Sequence, residues 1–336
     1  MIPSARITNE ILALTFIACL WLQAVPDESA ARQKCPIAIP DSVILPATLQ
    51  VQKWDPTGRG QGQQSGIPTV VVSFNNSRLE HAAIATGLNA NAVSPAAALR
   101  LKLSPIDGKV TVNAMDATAG ASQAEISQFH ASTLELPKIP VAVTDVPGML
   151  SLKSHPDAPT AWLGMPFLSA FQITLDPVSN SVTLQKAATK LPRPRQTSVV
   201  PLVLRDNRPY VSVSIPGAKP FLALLDTASP GSVIPTVVAE KLKIKPLKPV
   251  VEITRQGKPG KAAEIILPKL SVGKAEWKMP HVIYLTSDSS KEFDRTFAVI
   301  GMDFIGQFKV TIDFLHSQVA LSPPEKPAVK PKGETP

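Results

Sequence analysis

At 336 residues, with 5% aromatic and 18% charged residues, the chain holds enough Val, Leu, Ile and Ala for two cores of ordinary size. Its 34 prolines, scattered from end to end, exclude a fold of long helices. The net charge of +8 is dispersed, partly over Lys190, Arg193, Arg195, Lys326, Lys330 and Lys332, with no basic stripe interleaved with aromatics, so a nucleic-acid partner is excluded.

Only two cysteines occur, Cys19 and Cys35, and the five histidines fall at no ligand spacing; neither a disulfide framework nor a metal is expected, and no cofactor. Residues 11–25, ILALTFIACLWLQAV, form an apolar run behind a short polar start and ahead of Asp27-Glu28-Ser29. The run is short for a membrane helix of about 20 residues and reads as an export signal over residues 1–25. The mature protein is then periplasmic or extracellular. Two variants stay open: a retained anchor, and a lipid on Cys19, whose Phe16-Ile17-Ala18-Cys19 context loosely matches a lipobox. Membrane contact is expected only through these.

Beyond the signal the expected elements are short strands. A first segment, 42–186, carries a flexible insert at Trp54–Gly66, WDPTGRGQGQQSG. A polar, Pro-rich linker follows at 187–197. In the second segment, 199–323, VVPLVLR and PYVSVSI alternate as strands around a turn at Asp206-Asn207-Arg208. PFLALLD is a buried strand running into the turn-rich Thr227-Ala228-Ser229-Pro230-Gly231, and PTVVAEKLKI is a short helix opened by Pro235. Residues 250–267 form a hairpin with Gly257-Lys258-Pro259-Gly260 at its tip, and KVTIDF with SQVALS form a closing hairpin. The tail, 324–336, has the composition of a disordered segment.

The two segments repeat one another. WLGMPFLSAFQITLDPVSNSVTL (162–184) and VIGMDFIGQFKVTIDFLHSQVAL (299–321) align without gaps and share eight of 23 positions. HAAIATGLNANAVSPAAALRLKL (81–103) parallels LALLDTASPGSVIPTVVAEKLKI (222–244), and offsets of 137 to 141 residues throughout imply one internal duplication.

A buried strand ending in Asp226-Thr227-Ala228-Ser229, followed about 75 residues later by Val299-Ile300-Gly301-Met302-Asp303-Phe304, resembles the active-site loop and closing segment of aspartic peptidases of the retropepsin-like and pepsin-like kind. The resemblance covers about 199–323 well and 42–186 in decayed form. It implies an all-β fold of two tandem acid-protease lobes, each closed like a barrel. It also implies Asp226 as a catalytic carboxylate, Thr227 bracing the partner loop, Ser229 hydrogen-bonded to the carboxylate, and Gly301 leaving room for close packing. The hairpin 250–267 would be the flap. In this chemistry two carboxylates share one proton; the ionised one activates water and the other protonates the peptide carbonyl.

The sequence departs from that pattern twice. The counterpart loop reads Ala85-Thr86-Gly87, without the second acid, and Ala228 stands where glycine is usual. Asp116 falls in the flap region and is no replacement; Asp176, Asp303 and Asp313 read as turn or strand-end residues. The leading expectation is an aspartic endopeptidase acting on peptide or protein substrates, with a homodimer as a route to a second carboxylate. The alternative is an inactive pseudo-peptidase serving as an exported peptide-binding or structural protein.

Overall fold

The computed structural model describes residues 37–54, 66–114, 117–145, 158–187, 191, 196–247, 251–255, 258–288 and 294–324. The export signal, Cys19, Cys35, the interior of the Trp54–Gly66 insert, Asp116 and the tail beyond Pro324 lie outside the described residues. So does most of the linker, although Leu191 within it is buried.

In the first half β1 (Ala47–Trp54), β2 (Ile67–Phe74) and β3 (Leu79–Ile84) form an antiparallel meander. The Val-rich run of β2 is buried for most of its length, as β-branched side chains on a covered sheet should be. A loop leads to β4 (Ala92–Val93) and α1 (Pro95–Arg100), which Ser94 caps by accepting from the Ala97 amide at 3.2 Å. Then come β5 (Ser104–Ala114), β6 (Ala117–Ala131), β7 (Leu134–Val143), β8 (Ala161–Leu163), the single turn α2 (Met165–Leu168), β9 (Gln172–Asp176) and β10 (Ser181–Gln185). β3 runs parallel to β8, and β4 lies between β8 and β7.

Among the described residues the second half has twelve strands to the first half's ten, and it too closes on a single helical turn and a hairpin. It comprises β11 (Ser198–Pro201), β12 (Val203–Arg205), β13 (Arg208–Val213), β14 (Phe221–Leu225) and α3 (Thr236–Leu242). There follow β15 (Val251–Arg255), β16 (Lys258–Ile266), β17 (Lys269–Val272), β18 (Ala275–Lys278), β19 (His281–Asp288), β20 (Val299–Ile300), the single turn α4 (Met302–Ile305), β21 (Lys309–Asp313) and β22 (Gln318–Ser322). The turn between β12 and β13 puts Asp206 and Asn207 at φ 49° and 57°, two left-handed residues in a row, which suits the twist of a tight hairpin. Of the hairpin tip expected at 257–260, Lys258, Pro259 and Gly260 belong to the paired strand. Arg255 pairs with Lys258, and Pro259 and Gly260 continue the strand opposite Thr254 and Ile253. Pro259 is accommodated within the strand, and its turn signal is overridden by pairing.

One antiparallel sheet, β11-β22-β21-β9-β10-β1, runs through both halves. At its middle β21 pairs with β9 in the register Val310↔Leu175, Thr311↔Thr174, Ile312↔Ile173. Thr174 and Thr311, aligned with each other in the sequence repeat, therefore meet face to face, and their hydroxyls are hydrogen-bonded at 3.0 Å. Above the sheet the aligned aromatic pairs repeat as well: Phe167 and Phe171 have ring centroids 5.4 Å apart, Phe304 and Phe308 5.0 Å.

Candidate active site

Two loops meet at the ends of β3 and β14. Each strand delivers a buried apolar run to a threonine, and the two threonines grip one another's backbone. Thr86 donates from Oγ1 to the Leu225 carbonyl at 2.7 Å, and Thr227 donates from Oγ1 to the Ile84 carbonyl at 2.5 Å. Each hydroxyl in turn accepts the other's amide: Thr227 N to Thr86 Oγ1 at 3.0 Å, and Thr86 N to Thr227 Oγ1 at 3.1 Å. Four hydrogen bonds thus satisfy six buried polar groups across the junction, as burial requires.

Asp226 enters this frame at 2% exposure. Its Oδ1 accepts the Ala228 amide at 2.8 Å and the Gly87 amide, from the other half, at 3.1 Å. Burial pushes its carboxyl up from the ordinary range, opposed by those two amides and by the positive charge of Arg208. Arg208 is a residue that the sequence reading passed over as part of a turn. It opens β13, and continuing the register Tyr210↔Leu224 sets it opposite Asp226. In the first half the same register sets Ile67 opposite Ala85, an apolar pair in one buried cluster where the second half has two charged residues.

Gly301 performs as the packing argument requires. A methyl on it would lie 2.5 Å from the Gly231 carbonyl oxygen and 2.7 Å from that of Ser229. Gly164 holds the corresponding place, with the Ala90 oxygen at 2.0 Å and that of Leu88 at 2.9 Å. Both glycines have extended φ, so space and not conformation demands them. Ser229 departs from expectation. Its hydroxyl donates to the Gly231 carbonyl at 2.7 Å and not to the carboxylate, closing its own turn.

Asp303, read from sequence as a turn residue, is instead a carboxylate that holds the loop behind Asp226. It accepts the Ser232 hydroxyl at 2.6 Å and the Ser232 amide at 2.7 Å, while Ser232 Oγ accepts the Gly301 amide at 3.1 Å. Burial pushes its pKa up to about 6 against these hydrogen bonds. In the first half Asn91 takes the place of Ser232, its Oδ1 accepting the Gly164 amide at 3.1 Å.

The cover over the junction, where the described residues give one, comes from the first half. Leu88 bridges Ala114 of β5, and Asn89 accepts the Asn113 amide at 2.7 Å while donating to the Thr111 carbonyl at 3.1 Å. The hairpin expected as the flap, 250–267, pairs with β19 as β6 pairs with β7, and the side chains near its tip lie outside the described residues.

Residues 211–304 match a family model described as aspartyl protease. Among solved structures, the chain is similar to an aspartic proteinase from Irpex lacteus, with 13% identity over 83% of this chain and 97% of that one and a TM-score of 0.47. It is also similar to basic 7S globulin from soybean, with 11% identity over 82% and 94% and a TM-score of 0.48. A search of curated protein sequences finds no match.

Proposed function

We propose that this chain, whose residues 211–304 match an aspartyl protease family model, is an exported pseudo-peptidase, a tandem-lobe protein that binds extended peptides without hydrolysing them. The observation that carries the reading is the pairing of Asp226 with an apolar counterpart. The Thr86–Thr227 frame that would present two acids to one water is intact, but Ala85 occupies the second position within an apolar cluster. A lone carboxylate raised by burial can hold a proton or release it; it cannot be base and acid in one step. The reciprocal frame, the β9–β21 pairing and the aligned aromatic pairs support reading 42–186 and 199–323 as lobes of one duplication.

The test is a peptide-library digest between about pH 3 and 7, on wild type and Asp226→Asn, alongside binding of the same peptides to both. Neither protein is expected to cleave, and both should bind. Cleavage by wild type that disappears in Asp226→Asn would establish an endopeptidase and sink this reading.

A further inference from the structure

Gly87 and Ala228 hold equivalent places, two residues beyond Ala85 and Asp226. A methyl built on Gly87 would stand 2.2 Å from Asp226 Cγ and 2.3 Å from its Oδ2, inside the carboxyl group. The glycine is therefore what lets Asp226 occupy its position.

The same geometry holds with the halves exchanged, bond for bond. The Ala85 amide donates to the Leu163 carbonyl at 3.0 Å, and the Asp226 amide to that of Ile300 at 3.0 Å. Leu88 N reaches Ala85 O at 3.2 Å, and Ser229 N reaches Asp226 O at 3.3 Å. Met165 N reaches Leu88 O at 2.8 Å, and Met302 N reaches Ser229 O at 2.8 Å. With the reciprocal threonine bonds, the two loops make the same set of backbone contacts at nearly the same lengths. A methyl on residue 228 consequently falls where the carboxyl of an acid at position 85 would stand. Ala228 has that methyl, 5% exposed, in one apolar cluster with Ala85, Leu88 and Val112.

We infer that Ala228 excludes a second carboxylate from the site, so that the partner acid has been removed at two positions and not at one. The inference deepens the pseudo-peptidase reading and rests on it for its meaning, though not for its geometry. It also bears on a pair of second halves from two copies: each Asp226 would there meet the partner's Ala228 in the place Gly87 now fills, and the methyl would displace it.

A double-mutant cycle in the full chain tests the steric claim. Urea midpoints are compared for Ala85→Asp, Ala85→Asn, Ala228→Gly and the two double variants. The substitutions at 85 alone should lower the midpoint sharply or prevent folding. Adding Ala228→Gly should restore much of the loss, although by itself that change lowers the midpoint slightly through chain entropy. The asparagine pair removes charge from the comparison and isolates volume. Additive effects, an Ala85→Asn protein as stable as wild type, or double variants that fold no better than the singles would each overturn the inference. Cleavage is scored separately on the same panel. Wild-type hydrolysis would refute the pseudo-peptidase reading while leaving the cycle to decide the role of Ala228. Activity in Ala85→Asp/Ala228→Gly but not in Ala85→Asp would support it.

Discussion

Asp303 and Asp226 are both acids that folding makes harder to ionise. Such a group binds more protons folded than unfolded between its two pKa values. Its stabilising contribution is therefore complete below the unfolded value and is lost as pH rises through the folded one. For Asp303, raised from 3.8 to about 6, that is roughly two units. At about 1.4 kcal/mol per unit, on the order of 3 kcal/mol is lost between about pH 4 and pH 6, with Asp226 acting in the same direction. Urea unfolding of wild type and Asp303→Asn across pH 4 to 7 should show wild type losing ground relative to the variant as pH rises; parallel curves would contradict it. At the threonine frame, Thr86→Val or Thr227→Val leaves a buried amide and a buried carbonyl without partners. Each should cost roughly 2–4 kcal/mol, and the double variant less than the sum, because the two hydroxyls serve each other. Of these residues, Asp226, Thr227, Thr86 and Gly301 stood out in the sequence because a loop motif and its weaker counterpart mark their positions. Asp303 and Arg208 were not. Their importance comes from burial against Ser232 and Asp226, which no local pattern displays. Ser229 was misread because a hydroxyl near a carboxylate has a nearer acceptor in its own turn.

At the scale of elements, alternating and apolar runs located the strands of the second half, and Pro235 marked the start of α3, since those signals depend only on neighbours along the chain. The tip of the β15–β16 hairpin was misplaced because Gly and Pro signal a turn in isolation but tolerate a strand when pairing is supplied from the other side. The β5–β6 hairpin was invisible as a cover, its contacts being made with residues 88–89 through Asn89. Its register breaks between Ile106 and Lys109, where Gly108 adopts φ 110° with nothing within 4 Å of its missing side chain. A bulge in that position bends the strand, and beyond it the contacts of Asn89 help hold the hairpin down. Asn89→Ala should speed hydrogen exchange of the Asn113 amide by about tenfold, the equivalent of one or two modest hydrogen bonds, while β9 and β21 exchange as before. Unchanged exchange at Asn113 would show that the apolar contacts of Val112 and Ala114 suffice.

At the scale of the molecule, the sheet that crosses from one half to the other joins them through backbone as well as side chains. Lys309 and Asp176 approach to 3.3 Å beside the seam, and Gln172 donates to Asp313 at 3.1 Å on its other flank. The Thr174–Thr311 pair lies between these flanking contacts, with β-ladder bonds on either side. Such a junction behaves as a weld and not as a joint. Neither half has a complete sheet when cut free, so neither should hold its structure at equilibrium alone, and heat should melt the chain in one calorimetric step whose van't Hoff and measured enthalpies agree. A chain cleaved at an engineered site within residues 187–197 should still migrate as one particle until denatured. Two separate melting steps, or a half that folds in isolation, would mean that the seam is a contact between finished domains. One melting step would mean that the two halves, whatever their origin, have no separate existence as folding units.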